Sequence, residues 1–207
     1  MPRRPVFLPA TAALCALTAL TACQGSPEAG HPNTTPTSNS PAPTSTPTTP
    51  ASPTTPTWTS EEQAAITAAK SRYISARAAI DTALNNPPAA SKEKLLRAGT
   101  GGKWLVQVLT DVQFNLDRGW YADGKASVEG VSVASVNLKA EQPEVRLNAC
   151  LDTSRISLRY QATRKPVPVG PGSARRHKVQ AQVTYTAPVG QSKKAWFLMD
   201  ETDLGSC

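Results

Sequence analysis

The sequence predicts an α+β domain, with helices first and a curved antiparallel sheet after them, carried behind a long low-complexity segment. Three observations predict this. Between residues 58 and 119 apolar side chains recur at helical spacing, and from residue 128 onward the spacing changes to two. Ahead of them, from Gln24 to Thr57, nearly every residue is Pro, Thr, Ser, Ala, Gly or Asn, with no apolar side chain larger than Ala apart from proline. Such a stretch has nothing with which to build a core.

The first element, residues 1–22, has the three parts of an export signal. Arg3 and Arg4 supply positive charge, and Val6 to Leu20 is mostly Val, Phe, Leu and Ala. Leu20-Thr21-Ala22-Cys23 follows, with Gln24, Gly25 and Ser26 behind it. This resembles the bacterial lipobox, in which a Leu, two small residues and a Cys permit thioether diacylation and cleavage. The expectation is therefore a lipid-anchored protein, acylated on Cys23, on the extracytoplasmic face of the cell membrane. An ordinary secretory signal and an uncleaved anchor are the competing readings. A spanning helix wants about 20 apolar residues, and Pro9, Thr11, Thr18 and Thr21 interrupt a shorter run. Arg3-Arg4 with Phe7-Leu8 faintly imitates a twin-arginine signal, but the Phe falls one place late. Two or three acyl chains, at about 0.8 kcal/mol per buried methylene, hold a protein at a bilayer without help from basic residues.

Residues 23–57 are then the lipidated cysteine and a disordered linker. Their prolines favour polyproline II at about 3.1 Å per residue, enough to span roughly 100 Å when stretched. Repeats such as Thr46-Pro47-Thr48-Thr49-Pro50 also suit O-glycosylation.

Charge and cysteine counts narrow the function classes. Loss of Arg3 and Arg4 with the signal lowers the basic count from 22 to 20 against 15 acidic residues, a formal +5. That scattered excess suits solubility and weak attraction to anionic wall polymers, and does not point to nucleic acid. Of the four cysteines, Cys15 leaves with the signal and Cys23 carries lipid, so Cys150 and Cys207 remain. In an oxidising exterior the default is one disulfide between them.

Residues 58–207 form the folded domain. Thr59 or Ser60 followed by Glu62-Gln63 reads as a capping box, opening a helix whose inner face carries Ile66, Tyr73, Ile80 and Leu84, with Lys70, Arg72 and Arg77 outside. Asn85-Asn86-Pro87-Pro88 stops it. Ser91–Ala98 and Trp104–Asp117 read as two further helices, the second ended by Gly119. Val128–Leu138 reads as a strand in which Val131 and Val133 are out of phase with Val136 and Leu138, so a bulge is expected near Ala134 or Ser135. Val145, Leu147 and Ala149 alternate, as do Ile156, Leu158 and Tyr160, and then Val179, Ala181, Val183 and Tyr185. Trp196–Met199 closes the series.

This order of helices and strands resembles the NTF2-like (SnoaL-like) cone fold, and more narrowly the NTF2-like lipoproteins of high-GC Gram-positive bacteria. The residues that carry the resemblance are Val145-Arg146-Leu147-Asn148-Ala149-Cys150-Leu151-Asp152-Thr153-Ser154, then Ala195-Trp196-Phe197-Leu198, and Cys207. The resemblance implies a curved sheet around a cone-shaped cavity and a Cys150–Cys207 bridge.

Enzymes on that fold place an Asp or a Tyr–Asp pair inside the cone, where apolar walls shift pKa values for proton transfer. Asp111, Asp117, Asp152, Tyr121, Tyr160 and Asp200 are the candidates here, and none matches an enzyme motif. Asp152 reads as an Asx-type turn and the tyrosines as core or cavity wall. His31 and His177 are too few for zinc or for a Ser–His–Asp triad, so no metal, cofactor or catalytic set is expected. Gly130-Val131-Ser132-Val133-Ala134 imitates a nucleophile elbow but lies within one strand. Gly99–Lys103 imitates a phosphate loop but lacks its Ser/Thr. Arg155, Arg159, Arg164, Lys165, Arg175, Arg176 and Lys178 are expected on two neighbouring strands and their connection. Of these Arg155, Arg159, Arg175, Arg176 and Lys178 form the candidate polyanion-binding face. The expected function is a non-catalytic module contacting an envelope protein or an anionic wall polymer. A binder of a small apolar ligand in the cone is the alternative, and a cavity enzyme of isomerase or hydratase type a further one.

Overall fold

The structure, a computed structural model, describes residues 57–168, 175–188 and 192–207. The export signal, Cys23 and the expected linker lie outside the described residues. Within them the fold is α+β, with three helices packed against antiparallel sheets.

Helix α1 spans Ser60–Asn85 and opens with the expected capping box: the Glu62 amide donates to Thr59 Oγ1 at 3.2 Å and the Thr59 amide donates to Glu62 Oε2 at 2.9 Å. Two orphan N–H groups are thereby satisfied together. A 3-10 turn at Pro87–Ala89 leads into α2, Lys92–Ala98, capped by Ser91. Gly99, at φ +104°, ends α2, and an added Cβ there would lie 1.8 Å from Arg72 Cδ, so only glycine fits. Helix α3, Gly102–Arg118, ends at Gly119 in the left-handed conformation.

The strands are β1, Trp120–Asp123; β2, Ser127–Asn137; β3, Glu144–Asp152; β4, Ser157–Tyr160; β5, Arg176–Thr186; and β6, Ala195–Ser206. They do not make one meander. Strands β2-β3-β5-β6 form a four-stranded sheet, while β1 and β4 pair with each other apart from it. The Ile156–Tyr160 segment therefore leaves the main sheet, contrary to expectation, because its partner is a strand immediately after α3 that shows no alternation of its own.

Strand β2 carries the expected irregularity at Ala134, where the pairing steps from Val133–Leu147 to Ser135–Arg146, and a second between Glu129 and Ser132. Gly130, at φ +60°, sits in the second. Each extra residue bends the strand and keeps Val128, Val131, Val133 and Val136 directed at the core. That core is Ile66, Ala69, Tyr73, Ala76 and Ile80 of α1 against Val145, Leu147, Ala149 and Leu151 of β3, Val179, Ala181 and Val183 of β5, and Leu198 of β6. Leu105, Val108 and Val112 of α3 and Leu95 of α2 complete it.

A disulfide joins Cys150 of β3 to Cys207 just beyond β6, with 5.9 Å between Cα atoms and 57 residues of sequence separation. Among the described residues no helix is long and apolar enough to cross a membrane.

Candidate functional site

Three places in the molecule gather chemistry-bearing groups: a polar row inside the core, a basic surface around β4 and β5, and an apolar groove beside α3.

The inner row starts on α1. Tyr73, Arg77 and Asp81 are four residues apart, so they line up along the buried side of the helix. Arg77 was expected outside, yet it is 9% exposed and Asp81 6%. The reason is Glu201 of β6. Its Oε1 accepts from Arg77 Nη1 at 3.1 Å and its Oε2 accepts from the Tyr73 hydroxyl at 2.9 Å. Asp81 Oδ2 accepts from the amide of Ala126, at the entrance to β2, at 3.1 Å. Asn85, one turn further along α1, donates from Nδ2 to the Gly124 carbonyl at 2.9 Å.

Burial, then the neighbouring Glu201 charge, pushes the Tyr73 phenol far up, so it stays neutral and donates. Burial also raises the Asp81 carboxyl, with Arg77 and the Ala126 N–H pulling the other way. Both oxygens of Glu201 are engaged by donors and Asp81 holds a backbone amide. Each of these hydrogen bonds runs between elements of the fold and ties α1 to the strands around it. The row fastens α1 to β6 and to the β1–β2 turn. Sequence reasoning missed it because Glu201 lies 124 and 128 residues from its partners. The visible signal was a basic and an acidic residue interrupting an otherwise apolar stripe.

The named carboxylate and tyrosine candidates lie elsewhere. Asp111 and Asp117 are exposed on α3, accepting from Gln107 and Gln113. Asp200 meets Lys103 Nζ at 2.8 Å. Asp152 Oδ1 accepts from the Ser154 amide at 2.8 Å, the expected Asx turn, and that hydrogen bond holds its carboxyl below the usual range. Tyr160 is exposed and Tyr121 half-buried, so neither belongs to the core. Their strands belong to the small sheet, separate from the four strands that pack over the inner row. His177 Nδ1 lies 2.9 Å from Asp203 Oδ2. The Gly99–Lys103 segment is a strand clip: the Leu198 amide donates to the Gly99 carbonyl at 2.7 Å and the Gly101 amide to the Leu198 carbonyl at 2.8 Å. Among the described residues no group of three or more His, Cys, Asp or Glu could hold a metal ion.

The basic residues are divided between the two sheets. Arg159 of β4 faces Asp123 of β1 at 2.6 Å, and its Nη1 donates to the Arg164 carbonyl at 2.9 Å. Arg155 is exposed in the turn before β4. Strand β5 lies between β3 and β6, so β4 and β5 are not neighbours as expected. Arg176 meets Glu129 at 2.7 Å and approaches Cys150 Sγ at 3.6 Å. Arg175 is joined to the β3–β4 turn, its carbonyl accepting from the Thr153 amide at 2.8 Å. Arg176 and Lys178 border a shallow basin of about 410 Å³ whose floor includes the Cys150–Cys207 bridge.

The groove, of about 480 Å³, runs between the start of α3 and the facing ends of β5 and β6, lined by Leu96, Leu105, Val106, Phe197, Met199 and Pro188. Gly101 and Gly102 form part of its floor, and a Cβ on either would come within 3 Å of Met199.

No family model matches the chain, and no curated protein matches it. Among solved structures, the intermembrane space region of the chloroplast protein ARC6 is similar with a TM-score of 0.42 and 17% sequence identity, over 73% of this chain and 100% of that one.

Proposed function

We propose that this chain is an exported lipoprotein, acylated at Cys23, whose folded part is a non-catalytic NTF2-like module held at the extracytoplasmic face of the cell membrane to contact another envelope protein. The observation that carries the module reading is the occupied interior. Tyr73, Leu147, Leu198, Val145 and Val183 fill the space between α1 and the sheet, each under 2% exposed, and the carboxylates beside them are bonded within the fold. A cavity enzyme needs an open pocket with a titratable group aimed into it. The address rests on Leu20-Thr21-Ala22-Cys23, and the Cys150–Cys207 bridge supports an oxidising compartment.

Cells producing the chain are crosslinked and their envelopes solubilised and captured on it. A protein adduct, with the chain in the membrane fraction and released by Cys23→Ala, is the expected result. Recovery of polysaccharide alone, abolished by Arg155→Glu with Arg159→Glu, would replace the protein partner with an anionic wall polymer.

The groove beside α3 favours a second reading, a small apolar ligand. Met199→Trp would fill it, and loss of a co-purifying lipid or apolar compound in that variant is the sign to look for.

A further inference from the structure

We propose that the outward face of α3 pairs with the same face of a second copy of this chain, antiparallel, about a two-fold axis at Thr110. Helix α3 buries Leu105, Val108, Val112 and Asn115. The opposite side carries Lys103, Val106, Thr110, Phe114 and Asp117, all exposed. Their intervals of three and four residues make a second stripe of the kind that forms helix–helix seams. Two of its members are large apolar groups in water: Val106 is 64% exposed and Phe114 47%. Between them Leu109, Thr110 and Gln113 line a shallow depression.

The stripe is self-complementary about its midpoint. Counting outward from Thr110, Val106 lies as far on one side as Phe114 on the other, and Lys103 as far as Asp117. An antiparallel pair therefore sets Val106 against Phe114 of the second copy and Lys103 against Asp117 of the second copy, each contact occurring twice. This is the isologous arrangement a two-fold dimer requires. A different partner would have to supply that charge pattern, whereas a second copy carries it already. The apolar anchor is preset: Arg118 stacks over Phe114 with Cζ 3.6 Å from the ring centre, and Trp120 meets the ring edge-on at 6.0 Å. Fixing the ring before contact lowers the entropy lost on binding. Lys103 reaches Asp200 at 2.8 Å but is 74% exposed, so its ammonium is open to a second carboxylate.

A helix of this length offers a seam roughly 25 Å long, which falls in the small, weak class of interfaces under about 1,200 Å². The test therefore traps the pair covalently in cells. The full chain carrying Thr110→Cys is run on a non-reducing gel beside one carrying Ile74→Cys, likewise an exposed position, on α1. Thr110→Cys should give a band at twice the chain mass and Ile74→Cys should not. Lys103→Glu or Asp117→Lys alone should lower that band about tenfold, Val106→Asp should remove it, and Lys103→Glu together with Asp117→Lys should restore it. All these positions are exposed, so the substitutions spare the core. Equal bands from the two cysteines, or a double reversal no better than the single ones, would overturn the pairing. An adduct at another mass would assign the face to a different protein. Repeating the trap with a membrane-permeant bis-maleimide, which joins thiols in oxidising and reducing compartments alike, makes the result independent of the lipid-anchor reading, whose failure would be seen separately, in where the chain fractionates.

Discussion

Charged groups occupy two settings in this molecule, and the contrast between them teaches what charge does to the fold. Inside, Arg77 and Glu201 meet with side chains 11% and 5% exposed. Outside, Arg176 and Glu129 meet at a shorter distance, 2.7 Å, with side chains 55% and 45% exposed. Distance alone would rank the outer pair higher. Burial reverses the order, because water screens the outer pair while the inner ions have given up their hydration and depend on each other. The inner pair is consequently a constraint: once α1 and β6 close, each ion requires the other.

The largest expected effect follows from that constraint. Glu201→Ala strips buried Arg77 of its hydrogen-bonded carboxylate, leaving it the Asp81 charge alone, and removes the acceptor of the Tyr73 hydroxyl, so chemical denaturation should show a loss of about 3–5 kcal/mol. Replacing both partners sharpens the point. Arg77→Met with Glu201→Leu, made together with Tyr73→Phe so that no hydroxyl is left without its acceptor, should recover most of the loss, since apolar groups of similar size need no hydration. A triple variant as unstable as Glu201→Ala would mean that shape, and not charge, decides this site.

Strand β6 is held at its middle by Glu201 and at its end by the Cys150–Cys207 bridge, so the second prediction compares a charge tie with a covalent one. For a closed loop of 57 residues, the chain-entropy treatment gives about 4 kcal/mol. Cys207→Ser together with Cys150→Ser should lose roughly 2–4 kcal/mol, and the loss should be additive with Glu201→Ala if the two ties act independently. Marked non-additivity would indicate that the end of β6 frays as far as Glu201 once the bridge is gone.

A third prediction separates the inner carboxyl from the outer ones by pH. Burial raises the native pKa of Asp81. Between its unfolded value, about 3.9, and that raised value, the native chain holds more protons than the unfolded one, so stability falls as pH rises through the window. Asp152 and Asp203 go the other way: amide hydrogen bonds from Ser154 and Gly205 lower their native values. Their stabilisation is present above the unfolded pKa and is lost as pH falls through the native one. Asp81→Asn should therefore flatten the decline on the mildly acidic side while leaving the loss at lower pH in place. Parallel curves for wild type and Asp81→Asn would show that Asp81 does not titrate against burial.

What could be read from the chain divides along the same line between local and distant. The Thr59–Glu62 box, the stops at Gly99 and Gly119 and the Asp152 turn are made by residues within a few positions of each other, and the bulge at Ala134 is written in the phase of the valines. The second bulge was written there too: Val128 and Val131 stand three apart, as Val133 and Val136 do, and Gly130 lies between them. The small sheet was hidden because Trp120–Asp123 shows no alternation and finds its partner only in the fold. The inner row was hidden for the same reason. Arg77 and Asp81 interrupt the apolar stripe of α1, but nothing near them in sequence names Glu201 as the partner. The basic cluster misled by proximity in sequence, since β4 and β5 go to different sheets.

The smallest expected effect tests the outer setting. Glu129→Gln keeps the shape of the side chain opposite Arg176 and removes only its charge. With both partners about half exposed, the change should cost under about 1 kcal/mol and shrink further in high salt, where the Debye length falls to roughly 3 Å. Arg176 stays hydrated when Glu129 is neutral, so nothing is stranded, in contrast to Arg77 after Glu201→Ala. A loss approaching that of Glu201→Ala, and insensitive to salt, would mean that the basin over Cys150 and Cys207 is drier than its exposure indicates, and that Arg176 belongs with the inner charges.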